Sequence, residues 1–385
     1  MVAVRHALKA MVLLIGNYPP DRQQSMQRFG LMMLDGLTAA GIPAELIQPQ
    51  PFFGRFRYAG RFITKWLAYI DKFVLFPLRL RRRLKTPPAL VHICDHSNAM
   101  YARHITGVPV VASCHDLLAV RGALGEQTDC PASLTGKWLQ RWIIAGLRAA
   151  TVVACVSKAT LEDACRLVAR GDEKPKLELI PLALSYPYRR LPADEAYARL
   201  ARFPLLRPGR PFVLHVGSNL RRKNRDGVLR IFAGCKEQWN GLLVFVGEPL
   251  SETLRSLGGQ LEVLDRIVEV PDATSELLEA LYNCATALLF PSRFEGFGWP
   301  IIEAQACACP VICSDRPPLP EVAGDAGLIH PVEDEKSLSA EIIRMSNAEE
   351  RARWSAKSLD NAQRFSAEKM IADYIAVYRS NGARI

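Results

Sequence analysis

The sequence predicts an α/β protein made of two doubly wound domains with parallel sheets. Three observations lead there. The chain opens with a buried strand (Met11 to Asn17), a loop (Tyr18-Pro19-Pro20-Asp21) and an amphipathic helix (Gln24 to Ala40), the first unit of such a domain. The same alternation restarts at Phe212-Val213-Leu214-His215-Val216, after a Pro- and Arg-rich connection from Leu184 to Pro211. A length of 385 residues is enough for two separate cores, expected at 1–190 and 191–366.

Bulk properties narrow the class. Apolar residues make up 49% and charged residues 23%, the balance of a globular protein and not of a disordered one. No apolar run approaches the length of a membrane-spanning helix. The opening M-V-A-V-R-H-A-L-K-A-M-V-L-L-I-G looks superficially like a signal peptide. Its apolar core is short, no small-x-small site follows, and a first strand is expected instead. Ten cysteines lie in scattered apolar contexts without a C-x-x-C, which suits buried thiols in a reducing, cytoplasmic setting. Cys307, Cys309 and Cys313 span a helix and a strand and point in different directions, so no metal site is expected there.

In the first half, Met26, Phe29, Met32, Met33 and Leu37 give the opening helix its buried side. The loop before it, with Gln24 and Ser25, falls at the carboxyl end of the sheet, where open α/β sheets bind ligands. From Phe52 to Lys85 there are ten Lys or Arg against one Asp, interleaved with nine aromatic residues. Phe62, Trp66, Tyr69, Phe73 and Phe76 follow one helical face, Arg61, Lys65, Lys72 and Arg79 the next, and a basic cluster from Arg79 to Lys85 ends the segment. Such a helix suits an anionic membrane surface, because its aromatics exceed what one helix needs for packing; the alternative is a core-facing helix whose cations are its wet side. No folded nucleic-acid module accompanies the charge, so nucleic acid is not expected as a partner. Val91 to Asp95 and Val108 to Ser113 read as strands, each followed by a candidate: His96, and the pair His115-Asp116. Trp138 to Ala150 is helical, Thr151 to Val156 a strand, Ser157 a helix cap, and Leu177 to Pro181 the last strand of this half.

In the second half, Gly217 to Asn224 is a Gly-containing turn loaded with Arg221, Arg222 and Lys223, followed by a helix from about Asp226 to Lys236. Leu242 to Val246 and Ile267 to Val270 are strands, and Glu276 to Cys284 a helix. The stretch L-L-F-P-S-R-F-E-G-F-G-W-P-I-I-E-A-Q-A-C-A-C-P-V-I-C-S-D, Leu288 to Asp315, then reads as strand, Gly-rich loop, short helix and strand. Pro300 suits a first helical position, and the amides of Phe297, Gly298 and Trp299 at that helix end form an anion site. Gly296 and Gly298 allow close backbone approach, Phe297 supplies a wall, and Glu303 falls in the first turn. A ligand with a phosphate and neighbouring hydroxyls fits, and nucleotide sugars are such ligands. Pro317 to Gly327 is a loop, Gly327 to His330 a strand, and Glu335 to Met345, Glu349 to Phe365 and Ala367 to Tyr378 are helices.

Two carboxylates, Glu295 and Glu303, bracketing a Gly-Phe-Gly loop between two strands, resemble the E-x7-E signature of the retaining, metal-independent glycosyltransferases of family 4. Several further motifs agree in order, and the likeness runs through nearly the whole chain. It implies the GT-B fold, two Rossmann-like domains facing a central cleft, with residues 367–385 crossing back to the first. It implies a nucleotide-sugar donor, UDP- or GDP-linked, and a glycan or lipid-linked acceptor in cell-surface polysaccharide assembly at the inner face of the membrane. No cofactor or metal is implied, and no D-x-D that would hold one on a diphosphate is present.

In this likeness Arg222 and Lys223 bind the diphosphate with the amides at Phe297 and Gly298, although Ser218 stands where relatives often have Arg, leaving Arg221 and Arg222 as alternatives. Glu303 holds ribose hydroxyls, Glu295 sugar hydroxyls, and His115 contacts the sugar. Gln24, Ser25, His96 and Asp116 fall on the acceptor side. Retention then implies front-face displacement, with the departing phosphate taking the acceptor's proton. Two alternatives remain: a sugar-nucleotide epimerase of the same shape, which needs acid–base carboxylates and a His in the second domain, and a noncatalytic sugar-binding relative.

Overall fold

The computed structural model describes residues 11–21, 23–55, 60–170 and 174–385, with the backbone alone for 60–62. The chain divides into two compact units, Met1–Ser185 with Ala367–Ile385, and Tyr186–Ser366.

The first unit holds six parallel strands: β1 (Val12–Ile15), β2 (Ala44–Ile47), β3 (Leu90–Ile93), β4 (Val110–Cys114), β5 (Val152–Cys155) and β6 (Lys176–Leu179). Their order is β2-β1-β3-β4-β5-β6. Helices cover both faces, so β1, β3, β4 and β5 are buried along their whole lengths and read as unbroken apolar runs. Leu13, Val91, Ala112 and Val153 meet Phe76, Leu80, Ile143 and Leu147 from the helices in one core. The winding direction reverses between β1 and β3, so the loops leaving these strands part there.

The last helix, Ala367–Ser380, completes this unit. Tyr374 and Tyr378 are fully buried and join a chain of polar groups: Tyr378 Oη lies 2.6 Å from His92 Nδ1, His92 Nε2 2.8 Å from Ser113 Oγ, and Ser113 Oγ 2.7 Å from Tyr374 Oη. These bonds satisfy groups that would otherwise cost stability in the core.

The basic segment is a helix, Gly60–Ile70, a wide π turn, Asp71–Leu75, and a helix, Phe76–Arg83. Asp71 is buried and accepts hydrogen bonds from Tyr18 Oη (2.8 Å) and the amides of Phe53 (2.9 Å) and Gly54 (2.8 Å). Lys72 Nζ pairs with Asp21 at 2.8 Å. The expected aromatic stripe is corrected here. Phe76 is buried against Tyr101, and Tyr69 and Phe73 are half-buried, Phe73 packing on the core. Among those aromatics Trp66 is exposed, while the side chains of Arg61 and Phe62 lie outside the described residues. The stripe faces inward because Phe76 and Leu80 must cover the sheet. The apolar row left outside is Ile63, Trp66, Ile70, Val74 and Leu78.

The second unit repeats the plan with β7 (Phe212–Gly217), β8 (Leu242–Gly247), β9 (Ile267–Val270), β10 (Ala287–Phe290), β11 (Val311–Ser314) and β12 (Gly327–His330). All are parallel, in the order β12-β11-β10-β7-β8-β9. Its core sets Val213, Phe245, Leu289 and Ile312 against Val228, Phe232, Leu338 and Ile342. The winding reverses between β7 and β10. The expected loop from Pro317 to Gly327 contains a short helix, Leu319–Ala323, because Leu319, Val322 and Ala323 have core to bury.

Each sheet carries one fully buried histidine. Burial pushes His92 down to about 3, with neighbouring His115 adding, and burial with the Arg225 charge does the same to His215. Both are neutral when folded, whereas the unfolded chain titrates them near pH ~6.5. Below that value the unfolded state binds protons that the native state does not, so native stability declines as pH falls from 6.5 toward 3. The expected slope is roughly 1.4 kcal/mol per pH unit for each imidazole. Urea unfolding at about pH 7 and about pH 5 measures it. Equal stabilities would show that both rings charge within the fold.

Candidate active site

In the second unit the loops after β7 and β10 meet at the reversal point. The first makes a 3-10 turn, Arg221–Lys223, then Asn224 in the left-handed region (φ 56°, ψ 39°), then the helix Arg225–Cys235. Asn tolerates that conformation better than most residues. Its side chain stitches the two loops: Nδ2 donates to the Pro291 carbonyl (2.9 Å), and Oδ1 accepts from Arg293 Nε (3.1 Å) and Nη2 (2.9 Å). The Arg293 amide donates to the Arg222 carbonyl at 2.7 Å.

This stitching brings Glu295 between two cations. Lys223 Nζ donates to Oε1 at 2.6 Å, Arg222 Nη1 to Oε2 at 2.9 Å, and the Glu295 side chain is 7% exposed. Burial alone would raise the Glu295 carboxyl, but Lys223 and Arg222 outweigh it and hold it below the ordinary range. Burial lowers the Lys223 ammonium, Glu295 pulls it back up, and Arg222 adds to the lowering, so it stays below its usual value. Arg222 is thus the arginine that reaches the carboxylate, while Arg221 is exposed.

Beyond Glu295, Gly298 takes φ 103° and caps the helix Trp299–Ala306. A side chain there would also press on Leu319, 2.9 Å from a Cβ, so glycine answers both backbone and space. The amides of Phe297 and Gly298 make no hydrogen bond within the chain among the described residues. Two expectations change. The helix starts at Trp299, putting Pro300 second and Glu303 at the beginning of the second turn, not in the first. The Phe297 ring is buried edge-on against Phe365 at 5.7 Å, so it braces the loop and offers no wall to a ligand. Glu303 is buried, and its Oε2 accepts from Tyr282 Oη at 2.9 Å.

In the first unit the loops after β1 and β3 meet the same way. Asn17 Nδ2 donates to Asp95 Oδ2 and to Gln23 Oε1, each at 2.5 Å. Asp95 also accepts from the Ser97 amide at 3.0 Å, and His96 Nδ1 lies 3.2 Å from its Oδ1. Burial pushes His96 down, but the Asp95 hydrogen bond and charge, with Asp116 adding, leave it above its ordinary value. His115 is buried beside Phe29, with rings 4.8 Å apart, and burial lowers it. Its Nε2–H donates to the Cys94 carbonyl at 2.9 Å, which leaves Nδ1 as an acceptor with no partner among the described residues. Asp116 accepts from the Leu118 amide at 3.0 Å. Gln24 and Ser25 are exposed and are the first two helical residues, not loop residues, because the helix begins at Gln24.

Two family models divide the chain between them: Glycosyltransferase Family 4 matches residues 27–184 and Glycosyl transferases group 1 matches residues 199–360. The chain belongs to glycosyltransferase family 4. The family-4 chain is 28% identical over 259 residues to the O-antigen chain mannosyltransferase B of Escherichia coli, a match covering 63% of this chain and 64% of that protein. It therefore spans less than two thirds of that relative. In fold it resembles sucrose-phosphate synthase from Thermosynechococcus elongatus (TM-score 0.74, 20% identity, 96% and 98% of the two chains). It also resembles Anabaena HepE solved with UDP and glucose (TM-score 0.74, 16% identity, 96% and 100%). The GT-B fold class read from the sequence is thereby established.

Within the family-4 chain, Arg222, Lys223, Glu295 and the Gly296–Gly298 turn come together in the second unit, with Glu303 on the helix they cap. His96, His115 and Asp116 come together in the first. Sequence reasoning missed the residues that hold these groups: Asn224, Arg293, Tyr282, Asn17 and Asp95. An Asn between a basic turn and a helix was a visible signal for the left-handed residue; the Asn17–Asp95 pair, far apart in the chain, left none. Asn224→Ala loses the stitch and meets an unfavourable φ, whereas Asn224→Gly loses the stitch alone. Urea unfolding should place the Gly variant roughly 1–3 kcal/mol below the parent and the Ala variant lower still. A Gly variant as stable as the parent would remove the stitching role.

Proposed function

We propose that this protein is a retaining glycosyltransferase that moves a hexose-type sugar from a nucleotide-sugar donor to a glycan or lipid-linked acceptor, in cell-surface polysaccharide assembly on the cytoplasmic side of an anionic membrane. The observation carrying the proposal is the buried Lys223–Glu295–Arg222 cluster next to the Phe297 and Gly298 amides at a helix N-terminus. Cations and backbone amides fixed at one place suit a diphosphate leaving group, because they meet growing charge with little reorganisation. Lys223 uses one ammonium proton on Glu295 and has two more to offer. Each Glu295 oxygen keeps a lone pair for a sugar hydroxyl. Glu303, held by Tyr282, takes ribose hydroxyls. His115 Nδ1, an acceptor by its tautomer, accepts a hydrogen bond from a sugar hydroxyl, and Gln24, Ser25, His96 and Asp116 belong to the acceptor side. No enzyme nucleophile is needed if the departing phosphate oxygen accepts the acceptor's proton as the acceptor attacks from the same face.

The O-antigen relative supports a mannose-type sugar, and the UDP-bound neighbour supports a nucleotide donor. Thermal unfolding with UDP-, GDP-, ADP- and dTDP-sugars identifies the donor, since a ligand at about 100 times its dissociation constant adds about 2.7 kcal/mol. No shift with any of them would overturn the reading.

Two predictions separate the roles. Lys223→Ala should lower kcat by roughly 100- to 1,000-fold, as expected for charge that develops in the transition state, while Glu303→Ala chiefly raises the donor KM. A Lys223 variant with full kcat and only a raised KM would reverse the assignment. Transfer should also proceed in excess EDTA, because Lys223, Arg222 and the amides meet the leaving-group charge in place of a divalent ion. Activity lost to EDTA and restored by magnesium or manganese would show otherwise.

A further inference from the structure

The first unit leaves two apolar rows in solvent. Ile63, Trp66, Ile70, Val74 and Leu78 recur along the helical segment 60–83, with Trp66 50% and Val74 52% exposed. Leu134, Trp138 and Trp142 recur at four-residue spacing along the helix Leu134–Ala149, one face by geometry, with Leu134 82% and Trp138 69% exposed. The opposite side of that helix, Ile143 and Leu147, is in the core. The two helices touch where the Trp142 ring lies 5.9 Å from Phe73. Single exposed apolar residues are ordinary; two rows on touching helices are not.

The exposed charge carried on the two helices is of one sign. Arg79, Arg82, Lys137 and Arg141 are exposed on these helices. Their only carboxylate is Asp71, and it is buried beneath Tyr18 and the Phe53 and Gly54 amides. Tryptophan and aliphatic rows flanked by exposed cations, with no exposed anion on either helix, complement an interface of lipid chains and anionic headgroups. A protein partner would ordinarily bring some salt-bridging of both signs. Among the described residues no helix is long and apolar enough to cross a membrane, so the contact made is with its surface.

We infer that Ile63, Trp66, Ile70, Val74 and Leu78, with Leu134, Trp138 and Trp142, form a docking face for an anionic lipid bilayer, held there by Arg79, Arg82, Lys137 and Arg141. The inference deepens the acceptor side of the proposed function and rests on it, since a lipid-linked acceptor lies in such a surface. The inward stripe of Tyr69, Phe73 and Phe76 takes no part, and neither do two of the segment's cations: Lys72 is committed to Asp21 and Arg83 to Glu45.

The test is co-sedimentation of the full chain with phosphatidylcholine vesicles, with and without about one third phosphatidylglycerol, at low and high salt. Binding to the anionic vesicles alone, weakened by salt, is expected. Trp66→Asp with Trp138→Asp should weaken it roughly tenfold or more, and so should charge reversal of Arg79, Arg82, Lys137 and Arg141. Leu264→Asp, an exposed apolar control in the other unit, should bind as the parent does. Equal binding to both vesicle types, binding to neither, or face variants that bind like the parent would overturn the inference. So would a dimer in sedimentation velocity that the Trp variants dissociate, since a second copy would then own the face. Nucleotide-sugar thermal shifts run beside each arm keep the two readings apart. Lost vesicle binding with an intact shift overturns docking alone, and vesicle binding without any shift overturns the transferase reading alone.

Discussion

A carboxylate as buried as Glu295 is tolerable only because two cations meet it. Unpaired, it would cost several kcal/mol or take up a proton; paired with Lys223 and Arg222, it stays ionised. The pairing constrains the chain as much as it stabilises the charge. Its members come from loops more than seventy residues apart in sequence, so those loops must leave the sheet side by side. The parallel sheet ensures this by reversing its winding between β7 and β10, and Asn224 fastens the loops once they are adjacent.

The first unit uses the same topological device for a different charge. Its reversal between β1 and β3 collects Asn17, Asp95 and His96. There the buried carboxylate is met by hydrogen-bond donors and one imidazole, not by Lys and Arg. The second unit thus concentrates fixed positive charge at its reversal point and the first a finely hydrogen-bonded acid.

Much of the fold was legible because buried parallel strands are unbroken apolar runs, and the strand–loop–helix rhythm of Met11 to Ala39 and of Phe212 to Cys235 needs no long-range knowledge. Glu295, Lys223 and Gly298 were legible as residue types in fixed order. Phase was not. Whether a helix starts at Trp299 or Pro300 decides the turn that Glu303 occupies, and helix ends are where local signals are weakest. The Phe52–Lys85 segment shows the same difficulty at larger scale. Its aromatic and aliphatic residues both recur at helical spacing, and only the sheet beneath decides which row goes inside. The π turn adds to this: residues four apart advance about 40° per step on an α-helix, and a wider turn at 71–75 absorbs part of that drift, keeping Ile70, Val74 and Leu78 in line.

The buried run from Tyr378 through His92 and Ser113 to Tyr374 has a consequence for biosynthesis. The first unit is closed by a helix that is made after the whole second unit. At about 5–20 residues per second, the ribosome needs roughly 10 to 40 seconds to travel from Ser185 to Ser380. During that interval the sheet face around His92 and Ser113 lacks the cover of Tyr374 and Tyr378, while the second unit is itself being made and is complete at Ser366. The order of completion is therefore the reverse of the order of the two units along the chain: a helix made after the second unit finishes the unit begun before it.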